Sequence, residues 1–368
     1  MGATNFAALA PSAKTVWSRD VWKQARDMAF ITKFMGTGPN NVIQRITELT
    51  KTERGEKCVM SLVADLQEDG QTGDNEREGN EEELVAYFQT IGIDLLTHGV
   101  KNKGKLADQK TVINFREHAR DTLAYWLANR MDQLAFLTMS GVAYSYQNNG
   151  ALRTNSNFPN LAFAADVTAP STNRARRWDS TTNTLIAANT ANVIAADVLT
   201  YKAITAMVAY AKEHYVKPLM AGGKEYYVCF LKPGSMATLK QDADYQRAVT
   251  TAYDRGKDNP WFTGGTVTVD GVVFHEHRLV YSTSGTATKW GAGNAINGTR
   301  TLLCGAQALG LADLGTPEWC EKEFDYNSKQ GINIDKIFGL LKPKFHSNAD
   351  NAVEDFGVVA VDHALPIY

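Results

Sequence analysis

The sequence predicts an α+β protein, and three stretches of the chain carry that prediction. In residues 57–66 every second side chain is apolar, from Cys58 to Leu66, as in a half-buried strand, and an extended stretch at 84–100 completes a long hairpin. Residues 111–141 repeat apolar side chains at helical spacing for about eight turns. From residue 197 onward, helix and strand patterns alternate over short distances. We therefore expect a long hairpin, a long helix and a compact α+β unit, in that order.

The composition is that of a globular chain with little net charge. The chain has 368 residues, 44% of them apolar and 21% charged, which is enough for two or three sub-domains. Its 38 basic and 40 acidic side chains give a formal net charge of -2. A protein that binds nucleic acid by counterion release is normally clearly basic. Any contact with DNA is therefore expected to be weak or local.

Neither membrane insertion nor secretion is predicted. No apolar run reaches the roughly 18–20 residues that span a bilayer, and Met1–Ala7 lacks the features of a signal peptide. The four cysteines form no C-x-x-C pair and show no spacing typical of zinc sites; they are Cys58, Cys229, Cys304 and Cys320. We expect reduced, mostly buried thiols, with a Cys304–Cys320 disulfide as the alternative left open.

Residues 1–54 are predicted to form an arm. Two short amphipathic pieces, Val21–Phe34 and Val42–Leu49, flank the turn-prone segment Gly36–Asn41. This stretch carries too little apolar surface to fold alone, so it must lie on another surface, which we expect an adjoining copy of the chain to provide.

Residues 55–100 are predicted to form the extended hairpin. The side chains expected on one face are Cys58, Met60, Leu62, Ala64 and Leu66 in the first strand and Val85, Tyr87, Ile91, Ile93 and Leu95 in the second. A two-stranded ribbon is marginal by itself, so we expect a neighbouring chain to cover its apolar face. The connection, Gln67–Glu82, is polar. Its candidates for contact with another subunit are Glu76, Arg77, Glu78, Glu81 and Glu82.

The long helix is expected over Thr111–Gly141, a length of about 45 Å. Its apolar stripe consists of Val112, Phe115, Ala119, Leu123, Trp126, Leu127, Met131, Leu134 and Leu137. The polar faces are expected to carry Arg116, Glu117, Arg120, Asp121 and Asp132. Gly141 is the predicted helix end.

Residues 144–196 are rich in Asn, Thr, Ser and Ala and are predicted to be irregular. Four residues within them are further candidates for contact between subunits: Arg174, Arg176, Arg177 and Trp178. Arginine pairs well with both carboxylate and phosphate. We favour inter-subunit salt bridges over contacts with DNA here.

The remainder is predicted to be a compact unit followed by returning strands. The first expected element is a helix at Val198–Val216 with an apolar stripe that ends at Tyr215. It is followed by a strand at Tyr226–Leu231, a helix at Ser235–Tyr253, a hairpin with Asp270-Gly271 at its turn, a strand at Thr301–Leu311, and extended runs at Ile332–Leu341 and Phe356–Val361.

No residue is assigned a catalytic, cofactor-binding or metal-binding role. His275-Glu276-His277 is the best metal candidate, but zinc needs a third ligand and none is suggested nearby, so a solvated strand face is favoured. The chain contains no phosphate-binding loop, nucleophile elbow or dinucleotide fingerprint. The acidic stretch Asp74–Glu83 lacks the spacing of an EF-hand.

Short segments in a fixed order resemble one known family along nearly the whole chain. They are Gly79–Leu84, Asp108–Lys110, Leu123–Leu127, Asn173–Trp178, Tyr226–Pro233, Asn259–Gly264, Asp270–Val272, Cys304–Ala308 and Phe356–Val358. With the order of predicted elements, they resemble the enquatro-type (phage N-four-like) major capsid proteins of tailed bacteriophages.

The resemblance implies the Hong Kong ninety-seven-type capsid fold. It divides the chain into an N-terminal arm (1–54), an extended hairpin loop (55–100), a peripheral domain with the spine helix (101–196), an axial α+β domain (197–320) and returning peripheral strands (321–368).

The resemblance also implies a non-enzymatic subunit of the virion, assembled in the host cytoplasm. Copies would form hexamers and pentamers of an icosahedral head around double-stranded DNA, with a scaffolding protein and a portal protein as partners. Whether a decoration protein also binds is left open. The alternatives are an encapsulin-like compartment shell, a metal-dependent hydrolase using His275 and His277, and a tail or fibre protein.

Overall fold

A computed structural model describes residues 29–47, 57–63, 71–73, 78–79, 81, 86–105, 115–252, 268–326, 328–347 and 350–366. The α-helices in these ranges are α1 (Phe115–Ser140), α2 (Tyr201–Glu213), α3 (Pro233–Gln241) and α4 (Ala243–Ala252). None of the described helices is long and apolar enough to cross a membrane.

The strands in the same ranges number eighteen. In chain order they are β1 (Met35–Gly36), β2 (Ile43–Ile46), β3 (Lys57–Val63), β4 (Ala86–Gly92), β5 (Asp94–Lys101), β6 (Ala175–Asp179), β7 (Thr184–Ala187), β8 (Leu219–Ala221), β9 (Lys224–Leu231), β10 (Thr268–Val269), β11 (Val272–Glu276), β12 (Gly298–Cys304), β13 (Leu309–Asp313), β14 (Glu318–Phe324), β15 (Lys329–Leu341), β16 (Lys344–Ser347), β17 (Ala352–Asp355) and β18 (Val358–Ala364). The mixed α+β class predicted from the sequence is confirmed.

An eight-stranded sheet in the order β10-β11-β9-β12-β18-β6-β7, with β8 on β9, separates two apolar layers. In β9, Val228 and Phe230 face the layer that contains α1, whereas Tyr227, Cys229 and Leu231 face the layer that contains α2. A strand buried on both faces is a continuous apolar run in sequence, which is why β9 was predicted from its composition.

A second sheet is organised around the 13-residue strand β15. One edge of β15 pairs with β5, and the other edge pairs with β14 and then with β13. Strand β2, from the predicted arm, pairs in parallel with β13. The second sheet therefore joins the arm, the hairpin region and the returning strands of one chain.

Helix α1 lies against the second sheet and ends as predicted. Gly141 has φ +65°, Val142 N–H donates to Leu137 O at 3.0 Å and Gly141 N–H donates to Thr138 O at 3.1 Å. These two bonds form a Schellman motif, for which glycine is preferred. The described part of the helix has 26 residues and is about 39 Å long; residues 111–114 lie outside the described ranges.

The described part of the arm packs on its own chain. Ile31 and Ile43 are buried in the main core, and Leu309 N–H donates to Val42 O at 3.2 Å. For residues 29–47, the expectation that another copy must cover the arm is therefore wrong, because the core around α1 and the edge of β13 accommodate it.

Three predicted elements are corrected. The helix predicted at Ser235–Tyr253 is two helices, because the backbone of Asp242 is extended (ψ 125°) and its carboxylate caps the second helix by accepting the Asp244 N–H at 3.2 Å. The other carboxylate oxygen accepts the Tyr201 N–H at 2.6 Å. The predicted irregular region 144–196 contains the hairpin β6–β7. The run Thr301–Leu311 is two strands, β12 and β13, which belong to different sheets.

Two predicted apolar positions are exposed instead. Leu95 is 47% exposed because β4 ends at Gly92 and Leu95 belongs to the next strand, β5. The alternation of apolar side chains in β4 does not continue into β5. Tyr215 is 73% exposed because α2 ends at Glu213. By contrast, the two-residue turn is confirmed, since Asp270 and Gly271 have φ +50° and +74° between β10 and β11.

Candidate functional site

Strands β3 and β4 form an antiparallel ribbon whose inner face is covered by the same chain. Cys58, Met60 and Ile91 pack in a small core with Ile46, Ala312 and Leu341. The sequence prediction that Cys58 and Met60 share a buried face is confirmed. A neighbouring chain is not needed to cover this face at the described base of the ribbon, because the second sheet already does so.

The outer face of the ribbon exposes two large apolar side chains, Val59 and Phe88. Val59 lies opposite Thr90 and Ser61 lies opposite Phe88, so Val59 and Phe88 are diagonal neighbours on this face. Val59 is 43% exposed and Phe88 is 69% exposed. A large aromatic side chain at that exposure, beside an aliphatic one, provides apolar surface that another polypeptide can cover.

A groove of about 610 Å³ continues from the outer face, lined by Lys57, Thr90, Gly92, Ile93, Asp94, Leu95, Ala162, Asp166 and Ile337. Its two carboxylates hold the corner between β4 and β5. Asp94 Oδ2 accepts the Ala162 N–H at 2.7 Å, and Asp166 Oδ2 accepts the Gly92 N–H at 3.3 Å. The groove therefore lies between the β4–β5 corner and the segment that contains Ala162 and Asp166, with the exposed Leu95 side chain in its lining.

The predicted charged contacts in the connection of the ribbon are only partly described. Glu78 and Glu81 are exposed, and Glu81 Oε2 accepts the Gly79 N–H at 2.8 Å. Glu76, Arg77 and Glu82 lie outside the described residues.

Arg174 and Arg177 are structural residues of their own chain. Arg174 is fully buried and donates from Nε to Asp355 O at 3.0 Å and from Nη2 to His214 O at 2.8 Å. Arg177 Nη1 lies 2.9 Å from Oδ2 of the buried Asp197. These contacts do not support the predicted inter-subunit salt bridges, because Arg174, directly before β6, and Arg177, within β6, are both buried and bonded to groups of their own chain.

Trp178 is also buried, at 1% exposure, and packs in the layer with α2. This burial does not support its predicted contact with another subunit. Arg176 lies two residues before Trp178 on the same side of β6 and is half-buried. Its guanidinium lies 4.5 Å from the ring centre of Tyr210, donates to the Tyr210 hydroxyl and donates to Asn173 Oδ1 at 3.3 Å.

His275 and His277 do not form a solvated strand face. The His277 ring stacks on Phe30 at 4.4 Å and on Phe136 at 5.2 Å, and the His275 ring lies edge-on to Phe34 at 4.8 Å. Burial lowers the pKa of both histidines, that of His277 to about 4. Within the described ranges, no three His, Cys, Asp or Glu side chains come together as metal ligands.

The thiols follow the prediction. Cys58, Cys229 and Cys304 are buried, while Cys320 is exposed. Cys304 is a buried free thiol, so the Cys304–Cys320 disulfide alternative is wrong.

Asp132 is a structural contact that the sequence prediction missed. It was expected on a polar helix face, yet it is 4% exposed and accepts two backbone N–H groups of the arm. The signal was available, because Asp132 lies four residues from Ala128 and from Phe136 on a buried helical row.

The phage capsid protein family matches residues 5–367 of this chain. The major capsid protein of Pseudomonas phage KPP25 is 52% identical over 363 residues, which are 97% of this chain and 96% of that protein. A chain in the solved capsid of Ralstonia phage GP4 superposes with a TM-score of 0.75 at 26% identity, covering 92% of this chain and 91% of that one. A chain in the capsid asymmetric unit of Cyanophage Pam1 shares the fold, with a TM-score of 0.71 at 21% identity over 99% of this chain and 96% of that one.

This fold is that of a structural subunit of a phage capsid. The chain belongs to the phage capsid protein family, as a major capsid protein and not an enzyme. Neither a hydrolase using His275 and His277 nor a cellular compartment shell is favoured by these relatives.

Proposed function

We propose that the chain is the shell subunit of a tailed phage with the Hong Kong ninety-seven-type fold, close to the enquatro-type family. Copies associate as hexamers and pentamers into an icosahedral head that encloses double-stranded DNA. Scaffolding and portal proteins take part in assembly in the host cytoplasm. Whether a decoration protein binds the shell is left open. The five segments with boundaries at 54, 100, 196 and 320 are the units of this subunit.

The observation that carries this proposal is the exposed outer face of the ribbon. Val59 and Phe88 present apolar surface that the described part of the same chain leaves uncovered, and the groove with Leu95 continues it. In a heterologous interface, such a surface is covered by a different patch of the next copy, and a closing rotation generates a ring. The ribbon would then contribute one contact per copy around each ring.

Charged residues would add specificity to these contacts more than affinity. Glu76, Arg77, Glu78, Glu81 and Glu82 remain the candidates in the connection of the ribbon. Arg176 remains a candidate on β6, since its side chain is half-buried. The near-neutral net charge of -2 limits repulsion among many copies.

Electron microscopy of the chain, expressed with and without its genomic neighbours, tests the proposal. We expect closed, contoured shells, and dispersed particles that never close under either condition would contradict it. Phe88→Asp places a charge on the outer face and should leave a folded chain that does not form shells. Leu152→Asp is the matched control, because Leu152 is 63% exposed and pairs with Tyr146 in a bridge that is not part of β3 or β4.

A further inference from the structure

Two arginines from different parts of the chain meet on the solvent-exposed face of helix α1. Arg130 Nη1 donates to Gln133 Oε1 at 2.8 Å, and Arg153 Nη2 donates to the same oxygen at 3.2 Å. Two positive charges therefore converge on one neutral amide. We call Arg130, Gln133 and Arg153 the arginine cluster.

The two guanidiniums of the cluster are held in place without a carboxylate. Within the described part of the chain, neither Arg130 nor Arg153 forms an ion pair with an Asp or Glu side chain. Arg153 Nε also donates to Tyr146 O at 3.0 Å, and its guanidinium lies 4.9 Å from the ring centre of Phe158. Burial and the positive charge of Arg130 both lower the pKa of Arg153. The fold therefore keeps two like charges together although they repel each other.

Gln133 leaves this repulsion uncompensated. A glutamate at the same position would put a carboxylate where the two guanidiniums meet, and hydrogen bonds between charged partners contribute more than bonds to a neutral acceptor. The chain has the neutral amide instead. Residues that break a local stability rule in this way are commonly kept for a binding role. The cluster therefore has the properties of an anion site.

The C-terminal half of α1 exposes no acidic side chain. From Thr122 to Ser140 the helix contains one acidic residue, Asp132, which is 4% exposed and bonded to the arm. The N-terminal half differs, since Arg116 there forms an ion pair with Glu321 at 2.6 Å. Positive charge is therefore concentrated on the half of the helix that carries the cluster.

A third arginine and uncharged polar groups extend this surface along the helix. Arg278 Nη2 donates to the hydroxyl of Tyr125, which is 51% exposed. Asn129 lies four residues from both Tyr125 and Gln133, so these three side chains are neighbours on one face. Among the described residues, Arg278 forms no ion pair either, although Glu276 is exposed two positions earlier.

We propose that this face of α1 binds the phosphate backbone of double-stranded DNA, with the arginine cluster and Arg278 as its cationic contacts. Proteins bind DNA phosphates through Arg side chains together with Asn, Gln and Tyr side chains, and these are the residue types present here. The inference rests on the proposed function, because the ligand is the DNA that the head encloses. It places this face of α1 on the inside of the shell.

The competing ligand is an acidic segment of another copy. Residues 67–82 contain seven acidic side chains and one arginine, so they too would be attracted to the cluster. A stable contact between proteins needs a desolvated apolar centre, whereas the side chains at the cluster are polar. Contacts with DNA are wet and depend mainly on charge. The composition of this surface therefore favours DNA.

Binding should be weak and should depend strongly on salt. Three phosphate contacts correspond to a slope of about -2.7 in log K against log salt concentration, so affinity should fall about 40-fold between 50 and 200 mM salt. The net charge of -2 is consistent with a local contact of this kind.

Fluorescence anisotropy tests the inference. Purified full-length protein is titrated into a short labelled DNA duplex of mixed sequence at several salt concentrations. The double variant Arg130→Gln/Arg153→Gln should bind about tenfold more weakly at low salt, with a salt slope that is less steep by about 1.8. An unchanged slope and affinity would overturn the inference, as would the absence of salt-dependent binding by the natural protein.

Lys202→Gln/Lys224→Gln is the matched control. It also removes two positive charges, but from exposed side chains of α2 and of the first residue of β9. Its affinity and salt slope should equal those of the natural protein. A loss as large as that of the arginine variant would show that net charge, and not this surface, determines binding.

Gln133→Glu tests the cluster without removing an arginine. The new carboxylate should raise the thermal midpoint, because both guanidiniums gain a charged partner, and it should weaken duplex binding about tenfold. A cluster with only a structural role would give the higher midpoint with unchanged binding, and that result overturns the inference. This variant decides the question if the double arginine variant does not fold.

Two further measurements separate the inference from its alternatives. If a synthetic peptide of residues 67–82 binds the natural protein, and the double arginine variant loses the peptide but keeps the duplex, the cluster is a contact between copies and the inference is overturned. Electron microscopy tests the proposed function separately, because Gln133→Glu should still form shells. Shells together with unchanged duplex binding reject this inference alone, whereas a natural chain that forms no shells rejects the proposed function.

Discussion

The side-chain amide of Asn40 pairs with the backbone of Met220 through two hydrogen bonds. Asn40 Nδ2 donates to Met220 O at 2.7 Å, and Met220 N–H donates to Asn40 Oδ1 at 2.8 Å. The amide thus acts as a strand residue beside β8 and connects the arm to the β8–β9 hairpin. The two residues are 180 positions apart in the sequence.

Replacing Asn40 should loosen the hairpin locally. Asn40→Ala removes both bonds, and Asn40→Asp keeps the acceptor but loses the donor. We expect faster amide exchange at Met220 in Asn40→Ala than in Asn40→Asp, with global stability reduced by at most about 1 kcal/mol. Equal Met220 exchange in the natural protein and in Asn40→Ala would contradict the importance of this pair.

Asp313 compensates two cations and should be costly to neutralise. Its Oδ2 lies 2.6 Å from Arg45 Nη2, and its Oδ1 accepts from Lys336, which is 2% exposed. Asp313→Asn keeps the shape but removes the charge, and we expect a loss of about 3–5 kcal/mol in the free energy of unfolding.

Urea denaturation checks this value against an exposed ion pair. Asp325 pairs with Lys329 at 2.9 Å on the surface, and Asp325→Asn should leave the midpoint unchanged within error. Similar urea midpoints for the two variants would show that burial of Asp313 does not increase the contribution of its charge to the free energy of unfolding.

Lys232 should make stability depend on alkaline pH. Burial lowers the pKa of its ammonium from 10.5 to about 8, although Nζ donates to Ser282 Oγ at 2.7 Å. Its folded pKa is depressed, so its favourable contribution is present above pH 10.5 and is lost as pH falls through about 8.

Lys232→Met removes this titration. At neutral pH we expect the variant to be more stable than the natural protein by on the order of 1–3 kcal/mol. The advantage should shrink as pH rises through the window from about 8 to 10.5. Denaturation midpoints measured across that window check it, and a constant difference would refute the role of the ammonium.

Gly141 should tolerate no side chain. Its φ is +65°, and a Cβ atom there would lie 2.5 Å from Thr168 O. Gly141→Ala therefore combines backbone strain with a clash, and we expect a loss of about 2–4 kcal/mol. Gly293→Ala is the control, since Gly293 has φ +73° but open space around it, so only about 1 kcal/mol should be lost. Thermal unfolding of both variants distinguishes strain from clash.

Deletion of residues 67–82 tests the role of the connection in the ribbon. The described base of the ribbon packs against its own sheet through Met60 and Ile91. We therefore expect a soluble, folded chain that cannot form shells. Circular dichroism and electron microscopy measure the two properties, and normal shells from this deletion would contradict the proposed contact.

The elements that the sequence predicted well are those set by local periodicity. The alternation at Cys58 and Met60, the buried run of β9, the Asp270-Gly271 turn and the end of α1 at Gly141 are all confirmed. In each case, the pattern of neighbouring residues is enough, because side-chain direction or backbone φ is decided within one element.

The candidate contacts were predicted less well because an unpaired charge looks the same in sequence whether it is solvated or buried. Arg174 and Arg177 were expected to contact another subunit, but β6, which begins directly after Arg174 and contains Arg177, pairs with β18, and both side chains are buried. Asp132 was expected in water, but it accepts N–H groups from an arm about 100 residues away. Only the partner decides burial for such groups.

The sequence by itself therefore determined the α+β class, the ribbon, the spine helix and the likeness to capsid proteins. Only the tertiary structure decided that the run from Thr301 to Leu311 splits between two sheets, that the arm docks on its own chain, and that His275 and His277 lie against phenylalanine rings. The physical reason is that periodicity records which side of an element is apolar, whereas the identity of the surface that covers it depends on contacts between distant parts of the chain.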